Sequence, residues 1–196
     1  MGARIMVTGI PGVGKSSVCR HVLVPESITS LEFGRLMFKV GRERGVVDRF
    51  EELNNLDLSI RTELQAAVVE QVLRESATTT VLIDGHLVVD SIEGFVAGFP
   101  GSQLGRINLD AIVVLTAPPS DVIARRIRKG SAGTNSLTSD AEARAILHES
   151  LTIQAALFYA LQNESILEVV KNVENELDKT VRQVIDKVAR IVPTGM

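Results

Sequence analysis

The chain of 196 residues has one cysteine, no tryptophan, one tyrosine and six prolines. Cys19 alone forms no intrachain disulfide and supports no cysteine-rich metal site, which fits a reducing compartment and leaves the fold to its core. Cys19 itself is expected to pack as a small apolar group on the first helix. With aromatics at 4%, apolar residues at 45% and charged residues at 23%, the core has to be built from Val, Ile, Leu and Ala, and disorder or a collagen-like repeat is excluded. The net charge is -3 and the sequence pI about 5.7, so the basic surface that nucleic acid calls for is missing and no nucleic-acid partner is expected. No apolar run approaches the roughly 18 residues of a membrane span. The run before Gly9, about five residues, is shorter than a signal-peptide core of roughly 7 to 15. A cytoplasmic protein with no membrane partner is the expectation.

What the chain does contain is a regular alternation. Arg4 to Thr8, Ile28 to Phe33, Thr80 to Asp84, Ala111 to Leu115 and Ile166 to Val170 are short apolar or β-branched runs. Between them lie segments of helical spacing. Leu36 to Gly45 carries Leu36, Met37 and Val40, and Ser59 to Ser76 repeats apolar residues at Ile60, Leu64, Ala67, Val68, Val72 and Leu73. A helix after Pro118-Pro119 is expected to be capped by Ser120 or Asp121, and Glu174 to Ile191 to form the last helix. Leu151 to Leu161 is apolar on more than one face, which calls for burial by a neighbouring element or another subunit. Continuous apolar strands separated by helices predict an α/β fold: a three-layer sandwich with a five-stranded parallel sheet covered on both faces. The length fits one domain over residues 1–196.

Between the first strand and the first helix stands Gly9-Ile10-Pro11-Gly12-Val13-Gly14-Lys15-Ser16, a match to G-x-x-x-x-G-K-[ST] in the context that the motif requires. Gly9, Gly12 and Gly14 let the backbone curl and present successive amides to an anion. Together with Val13, Lys15, Ser16 and Ser17 they are the expected binding loop for ATP. Lys15 would reach the β and γ phosphates, Ser16 would offer its hydroxyl to Mg²⁺, and the following helix would turn its positive end to the anion. Asp84, at the end of a β-branched run, has the position of a Mg²⁺ carboxylate. His86 would face the same strand-end crevice. His21 and His148 fall in helical segments and are read as structural or surface groups.

Several further stretches carry a family likeness: Phe33-Gly34-Arg35-Leu36-Met37-Phe38, Gly45-Val46-Val47-Asp48-Arg49, Ile83-Asp84-Gly85-His86, Gly94-Phe95-Val96-Ala97-Gly98-Phe99-Pro100, Arg125-Arg126, and Leu137-Thr138-Ser139-Asp140. Their order and spacing over most of the chain resemble the archaeal-type adenylate kinases among the phosphate-loop nucleoside monophosphate kinases. The resemblance implies a five-stranded parallel core, a small helical flap near 34–65 that receives the monophosphate, and a short lid near 127–139. It also implies the Mg²⁺-dependent reaction ATP + AMP ⇌ 2 ADP, and a homo-oligomer, trimeric in several members. On that likeness Lys15, Asp84 and Arg126 are catalytic, Arg49 and the 94–100 loop with Gly98 meet the acceptor, and Arg126 reaches the phosphates in exchange. Arg35 and His86 join the acceptor side.

The chain also departs from the family pattern. Lys129-Gly130-Ser131-Ala132-Gly133-Thr134-Asn135-Ser136 stands where T-R-N-R is usual in the lid, Glu52-Leu53-Asn54-Asn55-Leu56 stands for M-R-K-L, and His148-Glu149 falls where an arginine is expected. A single arginine aimed at the transferring group is worth about 10³ to 10⁵ in rate, so such losses call for substitutes. Arg35, Lys39, Arg42, Arg44 and Arg61 offer them from the flap; Arg128, Lys129 and Arg144 offer them from the lid side. Three readings follow: a nucleoside monophosphate kinase with AMP as acceptor, a phosphate-loop kinase of another nucleotide or small metabolite, and an ATP-binding switch with weak or no transfer.

Overall fold

A computed structural model describes residues 2–22, 28–91, 94–99, 101–128 and 140–191. The elements run β1 (Arg4–Thr8), α1 (Lys15–Val22), β2 (Ile28–Glu32), α2 (Phe33–Glu43), a 3-10 turn (Phe50–Asn55), α3 (Leu58–Ser76), β3 (Thr80–Asp84), β4 (Val88–Ser91) and β5 (Gly94–Ala97). They continue with α4 (Gly101–Ile107), β6 (Ala111–Thr116), α5 (Pro119–Arg128), α6 (Asp140–Asn163), β7 (Ile166–Lys171) and α7 (Leu177–Ile191).

The main sheet is parallel, with strand order β2-β3-β1-β6-β7. β1 is buried along its whole length because β3 and β6 flank it and helices cover both faces. Alternation across the pleat splits the core in two. Met6, Ile83 and Ile112 face α3 and α6 through Leu64, Val68, Ala156 and Tyr159. Ile5, Val7, Leu82 and Val113 face α1 and α7 through Val18, Cys19, Val184 and Val188. Cys19 is fully buried there, and its desolvation pushes the thiol pKa up, so it is a packing residue as expected.

Four expectations need adjustment. Phe33, read as the end of the second strand, instead opens α2 three residues before the expected helix start. β4 and β5 pair antiparallel, with Val89 opposite Val96 and Asp90 opposite Phe95, where the 94–100 stretch was read as a loop. Neither Ser120 nor Asp121 caps α5: the helix opens at Pro119, whose missing N–H costs nothing in a first turn, and the Asp121 carboxylate accepts the Glu174 N–H at 3.1 Å. Finally, α7 begins at Leu177, because Asn175 takes a left-handed φ of 63° that breaks the helix before it. In α6, Thr152, Ala156 and Tyr159 turn inward while Leu157, Phe158 and Leu161 remain exposed. From residue 129 on, the expected lid lies outside the described residues.

α4, α6 and the start of β6 are joined through one phenol. Buried Tyr159 donates to Leu104 O and accepts from Leu109 N–H, both at 3.1 Å. Tyr159→Phe strips both backbone groups of their partner in a dry site. Urea denaturation followed by circular dichroism should show a loss of about 1–3 kcal/mol.

Candidate active site

The C-terminal ends of β1, β3 and β6 meet at the loop that follows β1, and open α/β sheets place their ligands at that edge. The register sets Asp84 beside both Val7 and Glu32. Ser16, on the first turn of α1, donates from Oγ to Asp84 Oδ2 at 2.7 Å. Lys15 is buried; its Nζ donates to Gly9 O at 3.0 Å and lies 3.4 Å from His86 Nδ1. Burial raises the pKa of Asp84, and the Lys15 ammonium and the Ser16 hydroxyl work against that rise. His86 is pushed down to about 3, first by desolvation and then by Lys15, so its ring is neutral and can accept from the ammonium.

The loop's carbonyl oxygens each have a donor at five of its six residues. Gly9 O takes Lys15 Nζ, Ile10 O takes Val13 N at 3.2 Å, and Pro11 O takes Arg126 Nε at 2.9 Å. Val13 O takes Asn172 Nδ2 at 2.7 Å and Arg125 Nη1 at 3.1 Å, and Gly14 O takes the Ser17 and Val18 amides. With the carbonyls engaged elsewhere, the amide edge of the loop and the positive end of α1 are what an anion meets.

The arginines divide into two groups. Arg126 is half-buried over the loop, no carboxylate pairs with it among the described residues, and desolvation lowers its pKa. Arg125 and Arg128 are both held by Glu174, at 2.8 and 2.7 Å. Arg144 makes a two-pronged contact with Asp90 of the hairpin, at 2.8 and 2.5 Å, and stacks over Phe95. Arg35 lies on α2 and Arg49 just before the 3-10 turn, their side chains 78% and 77% exposed, pairing with Glu32 and Glu52. Lys129 lies outside the described residues. Gly98 sits against the His86 carbonyl, so the residues after β5 touch the segment that follows Asp84.

The structure thus brings Gly9, Gly12, Val13, Gly14, Lys15, Ser16, Asp84, His86 and Arg126 to one crevice and leaves Arg35 and Arg49 exposed, paired with Glu32 and Glu52. His148, where an arginine was expected, is buried, with Nε2 donating to Val88 O at 3.0 Å and its ring beside Phe95. Its neighbour Glu149 accepts from Ala117 N at 3.2 Å. Both residues brace the hairpin and the end of β6. Asn172 and Arg125, which support the loop, were not singled out as site residues. Asn172 had one signal, its place directly after the last strand. Beside the loop, a cleft of about 390 Å³ is lined by Gly12, Ser17, Arg128, Asn172 and Val173 among others.

A phosphate loop with its lysine and a strand-end carboxylate, on a sheet of this order, defines a phosphate-loop phosphotransferase. A family profile described as "AAA domain" matches residues 8–144. The adenylate kinase of Thermococcus onnurineus (strain NA1) is 30% identical over 185 residues, 93% of each chain. That of Pyrococcus furiosus is 28% identical over 190 residues, covering 96% of this chain and 94% of its own. Among solved structures, the shikimate kinase of Acinetobacter baumannii superposes with a TM-score of 0.60 at 10% identity, over 96% of this chain and 93% of its own. A gluconokinase from Sinorhizobium meliloti 1021 gives 0.53 at 17% identity over the same shares; both share the fold. The chain belongs to the archaeal-type adenylate kinase family.

Gly14 adopts φ +102°, and a Cβ there would stand 2.4 Å from Asn172 Nδ2. Gly14→Ala should weaken binding of a fluorescent ATP analogue by at least about tenfold through clash and backbone strain together. Adding Asn172→Ala should recover only part of that loss, since it removes the clash and keeps the strained φ. The non-additivity is read in a double-mutant cycle.

Proposed function

We propose that the chain is a nucleoside monophosphate kinase that moves the γ-phosphoryl group of Mg²⁺-ATP to AMP, giving two ADP. The carrying observation is the convergence of Lys15, the Ser16–Asp84 pair and the carboxylate-free Arg126 on one crevice. The donor's phosphates fit the loop, whose glycine at position 14 leaves no room for a side chain. Its nucleoside fits the cleft between Gly12, Arg128 and Asn172. Ser16 Oγ and Asp84 are oxygen donors suited to Mg²⁺. The described residues form no cluster of three or more His, Cys, Asp or Glu, as suits a cation that shares its ligands with substrate phosphates. Bound there with the nucleotide, Mg²⁺ would neutralise charge on the phosphates.

In this mechanism Lys15 exchanges the His86 ring for phosphate oxygens while keeping Gly9 O, and Arg126 keeps Pro11 O through Nε while its terminal nitrogens meet the group in transfer. The flap over 34–65 positions the acceptor for in-line attack, with Arg35 and Arg49 able to leave their exposed and therefore weak ion pairs for its phosphate. His86 and Gly98 form the wall between the two nucleotides. An acceptor that is already a phosphate needs no strong general base, and the transition state asks mainly for positioning and charge.

One observation favours a second reading, an ATP-binding switch with weak transfer: Arg128 and Arg144, the nearest replacements for the missing lid cations, are engaged with Glu174 and Asp90. Incubation with Mg²⁺-ATP and a panel of nucleoside monophosphates and small hydroxylated metabolites, scored by chromatography, separates the readings. ADP formation from AMP is expected, with kcat lower by about 10³ or more in Lys15→Ala and in Arg126→Ala. ATP binding with no transfer to any acceptor would establish the switch, and transfer to another acceptor would identify a different kinase.

A further inference from the structure

The strand order leaves β7 at one edge of the sheet, with β6 as its sole strand partner among the described residues. Ile166 N–H donates to Asp110 O at 3.0 Å and Asn172 N–H to Thr116 O at 2.7 Å, so the even-numbered residues of β7 turn their backbone groups toward β6. Successive residues of a strand point these groups to opposite sides, which leaves the N–H and C=O of Leu167, Val169 and Lys171 on the open edge. No hydrogen bond from a described residue reaches them. Ile166 and Val169 are also 48% and 47% exposed. A free edge six residues long, with apolar side chains beside it, is a template for another strand.

Along β7 runs a groove of about 510 Å³, lined by residues of that strand and of α7. Lys179, Gln183, Asp186, Lys187 and Arg190 reach it at helical spacing from one face of α7. From Lys179 to Arg190 the helix advances about 17 Å, which matches the roughly 17 Å spanned by six residues of a strand. With Lys171 and Glu176 included, four cations line the groove against two carboxylates, in a chain whose net charge is -3. Glu176 holds Lys179 at 2.9 Å and Glu168 of β7 holds Lys187, while Lys171 and Arg190 have no carboxylate within ion-pair distance among the described residues. Val170 packs into the core beneath α7 and Leu167 into the core beneath α6, so alternation puts Lys171 on the α6 face. A strand laid on this edge meets positive charge on both of its faces.

We infer that the β7 edge is a docking site for an extended acidic segment of a partner protein, which adds as a sixth strand through the backbone groups of Leu167, Val169 and Lys171. The cations decide the occupant. A second copy of this edge would bring Lys171, Lys187 and Arg190 against their own kind, whereas carboxylates at alternate positions of an added strand turn to α7 and leave its other side chains beside Val169. Main-chain bonds give strand addition its affinity, and the charged flank selects the sequence. β7 runs directly into Asn172, whose Nδ2 holds Val13 O at 2.7 Å, so the docked strand lies beside a support of the phosphate loop. The inference is independent of which acceptor the crevice serves.

The probe is a capped, fluorescently labelled octapeptide that alternates glutamate with valine. It is compared with a lysine-valine counterpart and with a glutamate-valine peptide interrupted by a central proline, which cannot complete a strand ladder. Anisotropy at low and high salt measures affinity, and hydrogen exchange followed by NMR reads the amides of Leu167, Val169 and Lys171. The uninterrupted acidic peptide is expected to bind at least about tenfold tighter than either control, to weaken as salt rises, and to slow exchange at all three amides. Lys171→Glu combined with Arg190→Glu should cost about tenfold in its affinity and leave ATP binding unchanged. Equal binding of the acidic and basic peptides, equal binding of the proline peptide, or unslowed exchange at the three amides would overturn the inference. Concentration-dependent protection of those amides without peptide would overturn it too, by assigning the edge to a second copy. The peptide comparisons use the wild-type chain, so they decide even where the variant fails to fold.

Discussion

A loop that binds a polyanion has to keep its own carbonyl oxygens turned away, and this chain meets that constraint with donors drawn from distant elements. Lys15 comes from α1, Arg125 and Arg126 from α5, and Asn172 from the end of β7. Three of the four are cationic, so the donors that avert the carbonyls also add positive charge around the site. Their reach depends on the strand order: β6 and β7 lie on one side of β1, so α5 and Asn172 emerge beside the loop. Thr180 donates to Asn172 Oδ1 at 3.1 Å, and Glu174 accepts from Arg125 at 2.8 Å, so the supports are themselves supported. Asn172 and Arg125 converge on the single carbonyl of Val13.

Much of this framework was legible because burial leaves a strong mark on composition. β1 and β3 have the expected bounds and β6 is one residue longer, since strands buried on both faces show unbroken apolar runs. The hairpin was missed for the same reason in reverse. Its strands are four residues each and every position is only partly buried or exposed, so no run or clean alternation announces them. Pro119 and Asn175 moved helix starts by local backbone geometry, which periodicity does not sense. Within the site, the glycines, Lys15, Ser16 and Asp84 were readable because phosphate chemistry requires those residue types at that spacing. Asn172 was not, since its meaning comes from a carbonyl 159 residues away.

The departures from the family pattern have structural occupants. His148 and Glu149 stand where an arginine was expected, and one holds the hairpin through Val88 O while the other holds the end of β6 through Ala117 N. Arg144, one turn earlier on α6, holds the same hairpin through Asp90 and Phe95. The start of α6 is thereby bound to the hairpin that leads into Gly98. A guanidinium engaged with a carboxylate has much of its charge answered already, so its use on a phosphate would require the hairpin contact to open. That ties any contribution of Arg144 to a bound phosphate to movement of β4 and β5.

The site is held together by the same groups that the proposed reaction uses, and this shapes the energetics of binding. Lys15 and Asp84 are both buried charges, each carrying a desolvation cost that the other offsets, with Ser16 and the neutral His86 ring completing their shells. A ligand that brings phosphate oxygens to Lys15 and a cation to Asp84 exchanges partners on groups whose dehydration was completed when the chain folded. Side chains held in place in this way are preorganised, so little new ordering or desolvation remains at the moment of binding. The cost falls on the folded state, which carries ionisable groups in its interior where apolar side chains of similar volume would be at least as stable. Stability conceded around Lys15 and Asp84 is thus the physical counterpart of a crevice that is ready for a charged ligand.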